Sequence, residues 1–186
     1  MKTATASLLG TSPYAGSRNH ETPHLPKETA ESYEERTWRD RCHCTADGHV
    51  FIPPMAFKFS IASAAKQLSI QIPGRGKATY TKFFENGVQV LEGPVLDATR
   101  DTVRRQRVFA NSDGRRGSGK RVWRFFPTVD QWRGVVSYHI LAGEITDEIF
   151  ERVLLQSGVF VGVGQFRPEN GGTNGRFAVE KIVWSK

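Results

Sequence analysis

The chain has 186 residues, 38% of them apolar, with twelve Phe and four Trp, which suits one domain with a real core and excludes a disordered chain. Its net charge of +7 is concentrated: positions 100–124 hold nine Lys or Arg against two acids, while the other 161 positions carry 17 of each sign. No apolar run approaches the roughly 18 residues of a membrane span, positions 1–10 lack an apolar signal-like stretch, and Cys42 and Cys44 are too close for a long-range staple, so a cytoplasmic protein is expected.

Positions 3–9 alternate small and polar residues and predict a first strand, followed by a loop over 12–26 with Pro13, Gly16, Pro23 and Pro26. Positions 28–41 suit a charged surface helix anchored by Tyr33 and Trp38. Val50-Phe51-Ile52 reads as a short strand broken by Pro53-Pro54, and positions 55–68 repeat small and apolar residues at helical spacing. Strands are predicted over 78–91, 104–110, 122–127 and 134–141, with turn signals at Asn86-Gly87, Gly93-Pro94 and Asp113-Gly114. Thr146 caps a helix over 147–156 whose acids lie in its first turn. A strand over 159–163, a glycine-rich loop over 164–176 and a strand over 177–184 close the chain. This order predicts an α+β fold, a ferredoxin-like β-α-β-β-α-β core in one domain over 1–186, with insertions at about 11–49 and 93–121.

Three basic stretches suggest a polyanion partner. The first is the 100–124 segment, with Arg104, Arg105, Arg107, Arg115, Arg116, Lys120 and Arg121 as contact candidates, since clustered like charge is costly without a counter-charge and nucleic acid supplies one. Within it, Gly114-Arg115-Arg116-Gly117-Ser118-Gly119-Lys120 has P-loop spacing. Arg121 stands where Ser or Thr should hold magnesium, however, and a strand rather than a helix follows, so no nucleotide triphosphatase is inferred. The second is Pro73-Gly74-Arg75-Gly76-Lys77, followed by Tyr80, Phe83 and Phe84, where Arg75 and Lys77 beside exposed rings would bind single-stranded bases. The third is the stretch 162–177, with five glycines whose amides would approach a phosphate beside Arg167 and Arg176. Arg18 in the early loop and Lys66 at the end of the helix over 55–68 join the candidates.

Cys42-His43-Cys44 with His49 lacks the usual spacing of zinc pairs, so neither a metal nor another cofactor is expected. His20 and His24 could serve as acid and base of an endoribonuclease, and Asp40 or Asp47 could hold a metal, but no paired carboxylates compel a nuclease and a non-enzymatic protein is expected.

Val50-Phe51-Ile52-Pro53-Pro54 running into Lys58 and Ala64-Ala65 resembles the strand, Ile-Pro-Gly-Ser-Ser and Lys-Gly helix segment of RAMP proteins, the repeat-associated superfamily of CRISPR systems. It is most similar to their backbone subunits, and the glycine-rich stretch before the last strand is similar to their signature loop. Pro54 and Met55 replace the family's small pair and Phe59 its glycine after Lys, so a phage or mobile-element relative remains open. The resemblance implies an RRM-like fold that polymerises as a filament along single-stranded guide RNA, alone or with other effector subunits in antiviral defence. By matching position it implies that Lys58, Arg167 and Arg176 contact the strand, and by analogy that the 100–124 insertion is a thumb-like hairpin. Single-stranded DNA coating or annealing and a RAMP-type endoribonuclease are the alternatives. Glu31, Glu34 and Glu35 are expected to meet the basic segment of a neighbouring copy.

Overall fold

A computed structural model describes residues 1–111 and 121–185. Its main sheet contains β1 (Lys2–Gly10), β4 (Val88–Val90), β8 (Arg133–Ile140) and β9 (Phe177–Ser185) in the order β4-β8-β1-β9, all antiparallel. The alternation seen in the sequence selects the faces: Ala4, Ala6 and Leu8 of β1 are buried with Val136, Tyr138 and Ile140 of β8. The opposite face is mixed and more exposed, with Thr5 Oγ1 3.1 Å from Ser137 Oγ and with Val135 and Val183 on the same side.

Two helices cover the apolar face. Helix α2 (Pro54–Leu68) starts where Pro54 occupies a position whose N–H would have had no partner, and ends at Ser69 in the left-handed region, φ 45°. It buries Phe57, Ile61, Ala64 and Ala65. Helix α4 (Asp147–Gln156) begins at Thr146, whose Oγ1 accepts from the Ile149 amide, and it buries Phe150, Val153 and Leu154. Phe150 lies edge-on to Tyr138, ring centroids 5.4 Å apart.

The remaining elements lie between these. A two-residue strand β2 (Tyr14–Ala15) breaks the predicted loop, and helix α1 (Ala30–Thr37) runs into a 3-10 turn at Trp38–Arg41. Strand β3 (His49–Phe51) pairs with β5 (Val95–Thr99), a strand the sequence did not announce. Strands β6 (Arg104–Asn111) and β7 (Arg121–Val129) form an antiparallel hairpin, and β2 pairs with the far edge of β7.

Two expectations are corrected. Positions 78–91 are not one strand: α3 (Thr81–Gly87) precedes the short β4, because Tyr80, Phe84 and Gly87 recur at helical spacing and are buried, Phe84 stacking on Phe150 at 6.3 Å. Positions 159–163 do not form a strand either; α4 continues into a π-turn at Ser157–Val161, which buries Val161 and leaves Phe160 exposed. No helix among the described residues is long and apolar enough to cross a membrane.

Candidate nucleic-acid interface

The β6–β7 register decides which side chains share a face. Arg105 stands opposite Pro127, Arg107 opposite Phe125, Phe109 opposite Trp123 and Asn111 opposite Arg121. With a period of two, all of these point to one side of the hairpin. Near its outer end the face is an alternation of charge and ring. The Arg107 guanidinium lies 3.9 Å from the Trp123 centroid, Trp123 lies 5.0 Å from Phe109, and Arg121 lies 4.8 Å from Phe109. Phe109 is 42% and Trp123 39% exposed, so the two rings in contact form an exposed aromatic patch. Arg121 also donates to the Phe109 carbonyl at 2.6 Å.

Nearer the sheet the same face is covered by α1. Glu31 accepts from Arg107 at 2.8 Å and Glu35 from Arg105 at 3.3 Å, while Arg104 on the other face pairs with Asp130 at 2.8 Å. Glu34 is buried beside the edge of β7, where it accepts from Arg41 at 2.8 Å, faces Arg124 at 3.4 Å and meets the Phe125 amide at 3.4 Å. That carboxylate satisfies an edge amide and two guanidiniums together. The glutamates expected to reach a neighbouring copy therefore make their ion pairs within one chain.

The opposite face of the hairpin joins it to the glycine-rich loop. Asn174 Nδ2 donates to Gln106 Oε1 at 3.0 Å, and Phe126 lies edge-on to Phe166, centroids 5.0 Å apart. The loop is not an open cradle of amides. Val163 N–H donates to the Gly175 carbonyl, Gln165 to Ala15, Gly172 to Arg167, Asn174 to Phe166 and Gly175 to Pro13. Gly175, at φ 72°, packs so closely that a Cβ would overlap the Val163 carbonyl oxygen. The glycines serve backbone-on-backbone packing rather than a phosphate nest.

The family-derived contacts are also engaged inside the chain. Lys58 Nζ donates to the carbonyls of Phe84 at 2.7 Å and Glu85 at 2.5 Å, at the end of α3, and burial lowers its pKa against the opposing pull of Glu85. Arg167 pairs with Glu169 at 2.8 Å, whose carboxylate also takes the Ser63 hydroxyl. Arg176 Nε donates to the Val159 carbonyl at 3.1 Å. Lys66 and Lys77 are exposed, and Arg75 is exposed 3.6 Å from Glu144. The rings after that turn serve the core, with Tyr80 and Phe84 buried. Arg18 is exposed in the 12–26 loop. Arg115, Arg116 and Lys120, with the P-loop-like spacing, lie outside the described residues.

His20 and His24 both stack on Tyr33, centroids 6.1 and 3.7 Å away. No group of three or more His, Cys, Asp or Glu among the described residues could hold a metal. Burial, followed by the neighbouring Cys44 thiol, pushes Cys42 up to about 12.

Phe109 and Trp123 were not among the residues singled out in the sequence. Their signal was there as alternation, Arg105-x-Arg107-x-Phe109 facing Arg121-x-Trp123-x-Phe125, but it appears only once the hairpin register is known.

No protein-family model and no curated protein matches the chain. Among solved structures, Cmr6 from Pyrococcus furiosus superposes with a TM-score of 0.51 at 13% identity, over 96% of this chain and 99% of that one. A Cas6 product complex aligns at TM-score 0.36 and 12% identity over 94% and 50% of the two chains. A CRISPR RNA-guided surveillance complex aligns at 0.39 and 10% over 98% and 68%. The Cmr6 likeness is one of fold: an α+β chain with antiparallel sheets.

Proposed function

We propose that this chain is a non-catalytic subunit that binds single-stranded nucleic acid, as guide RNA in a CRISPR-type ribonucleoprotein, and assembles along the strand in repeated copies. The observation that carries the reading is the exposed series Arg107, Trp123, Phe109 and Arg121 on one face of the β6–β7 hairpin. Every base has a π-face, so exposed rings bind bases without reading sequence, and the guanidiniums between them attract phosphates. A duplex keeps those faces stacked on each other, which favours a single strand.

The fold likeness to Cmr6 supports the CRISPR setting. The succession β1, α2, β4, β8, α4 and β9, with strand order β4-β8-β1-β9, supports a ferredoxin-like core in one domain over 1–186. The segments at about 11–49 and 93–121 are then insertions, the second carrying the hairpin as a thumb. On this reading, strand phosphates that reach Arg107 and Arg105 exchange with Glu31 and Glu35.

Fluorescence anisotropy of a labelled single strand, as RNA and as DNA of one sequence, tests the reading across a salt series. Affinity that falls steeply with salt and favours RNA is expected, since the 2′-hydroxyl is the handle for that choice. No binding in low salt, or a flat salt response, overturns the reading, and equal binding of the two strands favours DNA coating. Mass photometry on strands of increasing length should show growth in steps of one protomer.

A further inference from the structure

Ion pairs engage most of the described arginines of the basic segment, Arg121 excepted. Among the described residues, Arg100, Arg104, Arg105, Arg107 and Arg124 each have a carboxylate within salt-bridge distance. Arg18 and Arg39 have none, and both line an open cleft of about 610 Å³ between the 17–22 loop and the 3-10 turn at Trp38–Arg41. Arg100, Asp40, Glu21, His20, Cys42 and Cys44 complete its charged and titratable wall.

Asp40 cannot neutralise the pair. It carries one negative charge, which already faces the Arg100 guanidinium, and its other oxygen accepts from Thr22 Oγ1 at 2.7 Å. Glu21 is exposed and lies beyond salt-bridge distance of either arginine. Two guanidiniums facing one cleft repel each other unless an anion lies between them. Both are also partly placed in advance. Arg39 lies 4.3 Å over the Trp38 ring, and the Arg18 amide donates to the Arg41 carbonyl at 2.9 Å. Nδ1 of His20, a residue of the same wall, is buried with no hydrogen-bond partner among the described residues.

We propose that this cleft binds the phosphate group of a nucleotide, with Arg18 and Arg39 as its charged clamps and Arg100 fixed at its edge by Asp40. The volume falls within the roughly 300–1,000 Å³ of small-ligand sites, and a guanidinium fork presents paired donors that match phosphate oxygens. The phosphate belongs either to a free mononucleotide or to the terminal phosphate of a strand. The inference is independent of the hairpin, which none of the cleft arginines except Arg100 adjoins in sequence.

Calorimetric titration of the full chain with adenosine 5′-monophosphate and with adenosine, and with a short oligonucleotide with and without a 5′-phosphate, tests it. Binding that requires the phosphate in at least one of the two comparisons is expected, and the comparison that shows it identifies the source. Arg18→Gln with Arg39→Gln should lower that affinity at least about tenfold, Arg18→Lys with Arg39→Lys should recover part of it, and Lys82→Gln, exposed on α3 away from both candidate sites, should leave it unchanged. Both clamp side chains are exposed and free of ion pairs, so the glutamine variant should melt as the wild type does. Phosphate-independent binding in both comparisons, or wild-type affinity in the glutamine variant, overturns the proposal.

Discussion

Glu31 of α1 accepts a hydrogen bond from Arg107 of β6 at 2.8 Å, across 76 positions of sequence. With Glu35 on Arg105, this contact neutralises much of the charge that singles out the hairpin in the sequence. A polyanion must therefore compete with carboxylates already in place. Glu31→Gln with Glu35→Gln should raise affinity for a single strand about threefold to tenfold, since exposed pairs contribute about 0.2–1 kcal/mol each. It should also steepen the salt dependence by roughly one unit of log–log slope. An unchanged affinity and slope in anisotropy titrations would count against the competition.

Trp123 lies between Arg107 and Phe109 with much of its ring in solvent. Trp123→Ala should cost about 1–3 kcal/mol of single-strand affinity while moving the melting temperature little, and Trp123→Phe should keep part of the binding. Quenching of tryptophan fluorescence on adding oligonucleotide, lost in the alanine variant, is the direct readout.

Glu34 has a structural task. Removing its carboxylate leaves Arg41 and Arg124 without their partner in a nearly buried site and frees the Phe125 edge amide. Glu34→Ala should destabilise the fold by about 3 kcal/mol, measured by chemical denaturation. A loss below about 0.5 kcal/mol would mean that the site relaxes into solvent.

Lys58 is predicted to act on stability rather than on binding. Lys58→Met removes the ammonium that bonds the Phe84 and Glu85 carbonyls, and should cost about 1–2 kcal/mol. The salt slope of strand binding should stay at the wild-type value. A reduced slope would instead identify Lys58 as a phosphate contact, as the family resemblance implies.

Glu28 sets a pH dependence. Hydrogen bonds from Arg36 at 2.7 and 2.9 Å and from the Leu25 amide at 2.9 Å hold its carboxyl down to about 2, from an ordinary value of 4.5. The folded state thus binds fewer protons than the unfolded one. The stabilisation is complete above about pH 4.5 and is lost as pH falls from there toward 2. Melting curves of the wild type and Glu28→Gln should converge across that window; a constant gap would exclude the linkage.

The elements read well from sequence were those whose local chemistry agrees with their packing. Thr146 with Asp147 and Glu148 announces α4, and Pro53-Pro54 before small residues announces α2. The segment 81–87 misled because adjacent Phe83 and Phe84 suit a strand, while burial of Tyr80, Phe84 and Gly87 required a helix. The π-turn at Ser157–Val161 was hidden for a similar reason, since a run of Val and Phe has strand propensity until α4 carries it on as helix. The glycines of 162–175 were expected to bring amides to a phosphate, and their close partner in the fold is the chain's own backbone.

The sequence by itself determined the α+β succession, the two main helices, the basic hairpin strands and the +7 concentrated in 25 positions. Only the tertiary structure decided where that charge is available. Glu31, Glu34, Glu35, Asp40 and Asp130 all lie outside the basic segment, yet folding brings each within reach of one of its arginines. Coulombic attraction depends on distance in space and not on position in the chain. Counting charges along the sequence therefore located the polyanion-binding candidate, while the fold gave most of its arginines carboxylate partners, left Arg18 and Arg39 without one beside a single cleft and brought Phe109 and Trp123 together.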